Sequence, residues 1–180
     1  LRRAYAQRLW GSKQRGDTVV LGGYVLLTSL SAGLGNVVAF GFGPYFSRIM
    51  KDRPLAIRCH EAAEAKGYGP DTCGTLRVNL GSVYMGFHNI SRDGQAIQPD
   101  YCIDVVICES GGKGSQLIAE HYGVPYHSID IPILPSSHDA QAGISYLVAQ
   151  MEEAIEWMQK VTGKPYHDEL LIEAAKNEWR

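Results

Sequence analysis

Two of the four cysteines, Cys73 and Cys108, stand where a thiol can do chemistry. Cys73 follows Asp71 at the expected start of a helix, and the positive end of a helix favours a thiolate. Cys108 ends an apolar run, Ile103 to Ile107, that reads as a buried parallel strand. In open α/β sheets ligands bind beyond the carboxyl ends of the strands, which puts Cys108 in a better place for function than a cysteine inside a strand. A plainer alternative stays open for Cys73, because a free cysteine is often a small buried hydrophobe. Cys102 begins the same strand as Cys108 and reads as structural, and Cys59 lies mid-helix on an expected core face. No C-x-x-C pair exists, so zinc-finger and thioredoxin chemistry find no support. Four cysteines are also too few for a disulfide scaffold, and a reducing, cytoplasmic setting is expected.

The segment from Glu109 to Ser115 contains Gly111, Gly112, Lys113 and Gly114. Backbone N–H groups in a glycine-rich turn before a helix bind anions, so a phosphate cradle is one reading. The spacing is not that of a Walker A loop, and a flexible βα turn with a solvated Lys113 is the simpler reading. The six histidines form no H-E-x-x-H pattern and read mostly as surface or capping residues. Ser110 is not in a G-x-S-x-G elbow, which argues against a serine hydrolase. Glu61 and Glu64 read as an exposed helix face, and Tyr84, Met85 and Phe87 as core.

The elements that must carry these residues follow from periodicity and breakers. Residues 1–13 show an amphipathic helical pattern ended by Gly11 and Gly16. Thr18 to Leu27 reads as a buried strand interrupted by Gly22 and Gly23, and Val37 to Phe40 as a second strand. Pro54 opens a helix that stops at Gly67, and Asp71 caps the next, through about Met85. Asp93-Gly94 signals a hairpin turn. The clearest unit is strand Ile103 to Ile107, a loop at Gly111 to Gly114, helix Ser115 to Tyr122 and strand His127 to Ile131. That order makes a βαβ unit with a right-handed crossover. Gly143 to Lys160 reads as a long helix with Ile144, Leu147, Val148, Met151, Ile155 and Met158 on one face, and His167 to Trp179 as a last helix.

The expected fold class is α/β: a parallel sheet with flanking helices, built of flavodoxin-like βαβ units, plus an N-terminal helical and α/β segment. The expected division is 1–98, carrying the helix that begins near Cys73, and 99–180, the βαβ unit with its long C-terminal helices. Both ends of the 180 residues fall inside helix-like patterns, so the sequence reads as part of a longer chain. With 45% hydrophobic and 20% charged residues it is a globular composition. A net charge of -2 offers no broad nucleic-acid-binding face, and no apolar run is long enough to span a membrane.

From Cys59 to Arg77 the sequence is C-H-E-A-A-E-A-K-G-Y-G-P-D-T-C-G-T-L-R. It resembles the family of 2-hydroxyacyl-CoA dehydratase and ATP-dependent benzoyl-CoA reductase subunits, whose pattern there is E-x-A-E-x-x-G-Y-x-x-D-x-C-S-Y-x-R. Glu61, Ala63, Glu64, Gly67, Tyr68, Asp71, Cys73 and Arg77 fit, as do Gly94, Pro99-Asp100, Cys108, Lys113, Val124-Pro125, Ile129-Asp130 and Thr162-Gly163-Lys164 further on. The chain departs from the family at Gly74-Thr75 and at Gly114.

That resemblance implies an iron–sulfur subunit of an anaerobic radical enzyme acting on CoA thioesters. Cys73 and Cys108 would be two of three cysteine ligands of a 4Fe–4S cluster, with the third outside this chain. It further implies a homologous second subunit, an ATP-hydrolysing activator or electron-donating subunits, and one-electron reduction of a CoA-thioester carbonyl. Reductase and dehydratase stay unseparated at this point, with a slight lean to the aryl-CoA reductase branch. The alternatives are a cluster-carrying electron-transfer or scaffold subunit without its own substrate site, and a nucleotide-binding module built on the glycine-rich segment.

Overall fold

The computed structural model describes residues 7–22, 28–41, 49, 51–86, 97–132 and 140–178. Their elements in chain order are α1 (Ser12–Arg15), β1 (Thr18–Leu21), α2 (Thr28–Ala32), β2 (Val37–Phe40), α3 (Arg53–Glu64), α4 (Gly74–Tyr84), β3 (Tyr101–Val106), α5 (Glu109–Tyr122), β4 (Tyr126–Asp130), α6 (Ala140–Thr162) and α7 (Asp168–Glu178). The strands form one parallel sheet in the order β2-β1-β3-β4. This is the α/β class expected from the sequence, and the order is that of a doubly wound sheet. The direction in which successive strands are added reverses between β1 and β3, which makes a switch point at that crevice.

Alternation along the strands divides the core into two layers. Val19, Leu21, Val38, Phe40 and Cys102 face one side, where Leu76, Leu80 and Val83 of α4 and Ile118 and Ala119 of α5 cover them. Val20, Tyr101, Ile103, Val105 and Ile129 face the other, under Leu30 and Leu34 and under Ala154 and Met158 of α6. Because both faces of β3 are covered, its run is almost continuously apolar. The Tyr101 ring meets Trp157 edge-on at 5.4 Å, and its hydroxyl donates to Met158 Sδ at 3.1 Å. At the far end of the chain the Tyr166 hydroxyl donates to Leu30 O at 2.7 Å, and its ring covers Gly33, where no side chain fits.

Several boundaries differ from the expectation. The first strand covers Thr18–Leu21, with residues 23–27 of the expected run outside the described residues, and β4 begins one residue early, at Tyr126. The long helix extends to Ala140 and Thr162. Of its expected apolar face Leu147, Met151, Ile155 and Met158 pack on the core, whereas Ile144 and Val148 are exposed. Met85 is likewise exposed rather than core. The hairpin turn at Asp93-Gly94 and the side chain of Phe87 lie outside the described residues. Among the described residues no helix is long and apolar enough to cross a membrane.

His127 stacks on Trp157 with ring centroids 5.0 Å apart. Burial holds its imidazole below the ordinary value of 6.5, against a weaker opposing pull from Glu153. The unfolded chain therefore binds more protons just below that pH, and this contribution to stability fades as pH falls through the ordinary histidine range. Replacement by Phe keeps an aromatic partner for Trp157 without a titrating ring. His127→Phe is expected to lose less thermal stability than the parent between pH 7.5 and 5.5, measured by circular dichroism. Equal losses would show that His127 is not a source of the acid sensitivity.

Candidate functional site

Each candidate thiol stands at the start of a helix. Cys73 is the N-cap of α4, two residues later than the expected cap at Asp71. Cys108 is the N-cap of α5, just past the carboxyl end of β3. Both are exposed, whereas Cys59 and Cys102 are buried. Burial pushes the Cys59 thiol up to about 11 and the Cys102 thiol up to about 12, so both are inert packing groups. This separation into two exposed and two buried cysteines agrees with the sequence reading.

The Cys108 residue is extended, and its Sγ accepts from Gly111 N at 3.3 Å. The sulfur thus does for this helix what a Ser or Asp oxygen usually does. Cys73 closes no cap hydrogen bond of ordinary geometry. Its thiol is nevertheless held below the usual cysteine range, above all by the Leu76 N–H and also by the Thr75 N–H and the hydroxyls of Thr75 and Ser110; partial burial pulls the other way. Ser110 is the second residue of α5, two positions after Cys108, and α5 packs against α4.

Close packing holds the two helices in that relation. The segment Gly111 to Gly114, expected as a loop, is the first turn and a half of α5. A Cβ on Gly114 would stand 2.5 Å from Leu76 Cδ1 of α4, and one on Gly112 would stand 3.0 Å from Val106 Cγ2 of β3. The glycines therefore let α5 approach its neighbours, in spite of their poor intrinsic helix propensity. Two of their N–H groups are turned to Cys108: Gly111 donates to its sulfur, and both Gly111 and Gly112 donate to its carbonyl. Lys113 bonds Gln116 Oε1 at 3.2 Å on the exposed side. The phosphate-cradle reading fails here, since the segment is helix rather than loop.

Behind Cys73 lies a small polar group missed by the sequence reading. Arg77, one turn into α4, pairs with Glu64 of α3 at 2.6 Å, and its side chain is only 13% exposed. His60 of α3 reaches the same place, with its Cε1 4.0 Å from the position of a Cβ on Gly74. Burial first, and the Arg77 charge second, lower its affinity for a proton; Glu64 opposes both. Among the described residues His60 Nδ1 and Arg77 Nε are buried without a hydrogen-bond partner. His60 is thus half-buried at a helix–helix contact rather than fully exposed. The available signal was the i, i+4 spacing of His60 and Glu64, which puts them on one helix face.

Residues 37–180 match the family described as 2-hydroxyglutaryl-CoA dehydratase, D-component. This chain belongs to that family. It is 33% identical over 117 residues to the (R)-phenyllactyl-CoA dehydratase alpha subunit of Clostridium sporogenes, a match covering 64% of this chain and 28% of that subunit. It is 31% identical over 117 residues to the (R)-2-hydroxyisocaproyl-CoA dehydratase alpha subunit of Clostridioides difficile, with the same coverage of each chain. Over 71 residues it is 28% identical to subunit alpha of (R)-2-hydroxyglutaryl-CoA dehydratase from Acidaminococcus fermentans, covering 39% of this chain and 15% of that subunit. The matched region thus spans little more than a quarter of the curated relatives' length in the first two cases. All three relatives carry dehydratase names. The expected family is therefore shown.

Proposed function

We propose that this chain is part of a subunit of a 2-hydroxyacyl-CoA dehydratase, and that Cys73 and Cys108 are two of the ligands of its 4Fe–4S cluster. The observation that supports this best is that the two exposed cysteines each begin a helix, and that these two helices pack together where Gly114 meets Leu76. Thiolates are the normal ligands of such clusters, and the N–H groups at the start of α4 favour the anionic sulfur of Cys73. Among the described residues no three His, Cys, Asp or Glu side chains gather as a metal-binding group. The two thiols would supply two of its ligands, and the proposed third would come from outside this chain. The dehydratase names of the relatives favour dehydration over aryl-CoA reduction.

The bound cluster supplies one-electron chemistry toward the thioester. The chain's own contribution is positional. The α5 start holds Cys108 at the carboxyl edge of the sheet beside the switch point, where an open α/β sheet offers a crevice. Gly111 N anchors the Cys108 sulfur, while Leu76, Thr75 and Ser110 surround that of Cys73. A homologous subunit and an ATP-dependent electron donor complete the proposed assembly, in a cytoplasmic, anaerobic setting.

The test is iron and acid-labile sulfide in the full-length protein, purified with its partner subunits without oxygen. Cys73→Ser and Cys108→Ser are each expected to lose most of the cluster and all 2-hydroxyacyl-CoA dehydration. An iron-free parent protein, or a cluster indifferent to both changes, would overturn the assignment. A cluster whose electron paramagnetic resonance signal ignores every CoA ester would instead leave a scaffold or electron-transfer subunit.

A further inference from the structure

Arg77, Glu64 and His60 stand together where α3 passes the first turn of α4. The Arg77 N–H donates to the Cys73 carbonyl at 3.0 Å, one helical turn away. Residues four apart on a helix share a face, so Arg77 stands on the side of α4 that Cys73 opens. Its guanidinium donates from Nη1 to Glu64 Oε1 at 2.6 Å. The Arg77 side chain is 13% exposed, against 43% for Glu64. The cation is thus held mostly out of water while its counter-charge stays partly solvated and is the better screened of the two. His60 closes the same contact, its Cε1 4.0 Å from the Cβ position at Gly74, the residue after Cys73. A positive charge is therefore fixed beside the start of α4 by a partner on a different helix.

We propose that Arg77 is a positioning residue that raises the reduction potential of the cluster: its charge, held beside the start of α4 by Glu64, stabilises the reduced and more negative state. This rests on the ligand assignment proposed above. Reduction adds one negative charge to the cluster, and charge and solvent exposure around a cluster are general determinants of its potential. A cation out of water acts more strongly on a neighbour than an exposed one. Glu64 holds the cation in place and, being of opposite sign, partly offsets it. Arg77 is not a ligand and transfers no proton. The pair carries a signature that tells this role from plain bracing. If it only braces α3 against α4, loss of either member has the same effect. If its charges act on the cluster, loss of each member shifts the potential in an opposite direction.

The experiment is a redox titration, followed by electron paramagnetic resonance, of the full-length cluster-loaded protein with its partners. Parent, Arg77→Gln, Arg77→Lys and Glu64→Gln are compared at one pH and one salt concentration. Arg77→Gln is expected to be harder to reduce by roughly tenfold in the one-electron equilibrium, about 59 mV. Arg77→Lys keeps the charge and is expected to titrate closer to the parent than Arg77→Gln does. Glu64→Gln removes the carboxylate charge and keeps an oxygen that can accept from Arg77. It is expected to be easier to reduce, by less than tenfold, because the carboxylate is the more exposed partner. Shifts of the same sign in Arg77→Gln and Glu64→Gln, or no shift in either, would overturn the role of the charge and leave the ligand assignment standing. A parent without a cluster would overturn both. Where Arg77→Gln fails to fold or to load iron, Glu64→Gln decides alone: a raised potential supports the proposal, and an unchanged or lowered one overturns it.

Discussion

Gly81→Ala is expected to cost a substantial part of the fold's stability. Intrinsic propensity alone argues the reverse, since Ala in a helix interior is about 1 kcal/mol better than Gly. The surroundings decide the sign. Gly81 lies on α4 where it crosses α3, and an added Cβ would stand 2.8 Å from Cys59 Cα and overlap the Cys59 carbonyl. The obstacle is helix backbone, which has no rotamer to change. The helices must separate, opening the cluster formed by Ile49, Leu55, Cys59 and Val78. Overpacking of this kind costs about 1–3 kcal/mol and sometimes more, and a backbone collision belongs at the upper end. A domain of this size holds only about 5–15 kcal/mol in total. The same separation would move the start of α4, and Cys73 with it. Gly112→Ala is the contrasting case, because its nearest obstacle is a Val106 methyl at 3.0 Å, which can shift. Urea unfolding of both variants checks the ranking. A Gly81→Ala midpoint within experimental scatter of the parent would show that the crossing is looser than its geometry implies.

The glycines also mark the boundary of what the sequence could reveal. Strand β3 was legible because its buried run is continuous, and α6 because its periodicity persists over many turns. Cys108 was legible for the same reason: a cysteine just past a buried strand lies at the edge where sheets carry sites. Gly111 to Gly114 misled, because four residues with three glycines normally break a helix. Their reason for being there is the proximity of Leu76 and Val106, and that is a tertiary fact. Cys73 as N-cap was hidden in a different way. Asp is a strong N-cap and Cys is not, so Asp71 took the expected role. The approach of Gly114 to Leu76 depends on how α4 packs on α5, and no local pattern encodes that. The resemblance of Cys59 to Arg77 and of Pro99 to Pro132 to the dehydratase family supplied the expectation that Cys73 and Cys108 act together.

Asp104→Ala is expected to loosen the hold on Cys108 while leaving the cysteine itself untouched. Asp104 is fully buried in the middle of β3, on a strand that is otherwise apolar up to Val106. Its Oδ2 accepts from Ser115 Oγ at 2.6 Å and its Oδ1 from Val105 N at 2.9 Å. Ser115 is itself 2% exposed and sits in α5, seven residues beyond Cys108. One bond therefore pins the helix that begins at Cys108 onto the strand that ends there. Removing the carboxylate leaves a buried hydroxyl without this acceptor, a loss of about 1–3 kcal/mol, and adds a small void. The iron content of the loaded protein should fall along with the melting temperature, because α5 is no longer fixed in register with β3. The Ser115→Ala change breaks the bond from the other side and takes this donor from the carboxylate. When both partners are gone no polar group of the pair remains unsatisfied, so the double variant should cost less than the sum of the singles. Purely additive losses in that cycle would mean that Asp104 stabilises the strand by other contacts, and that the Ser115 bond does not position Cys108.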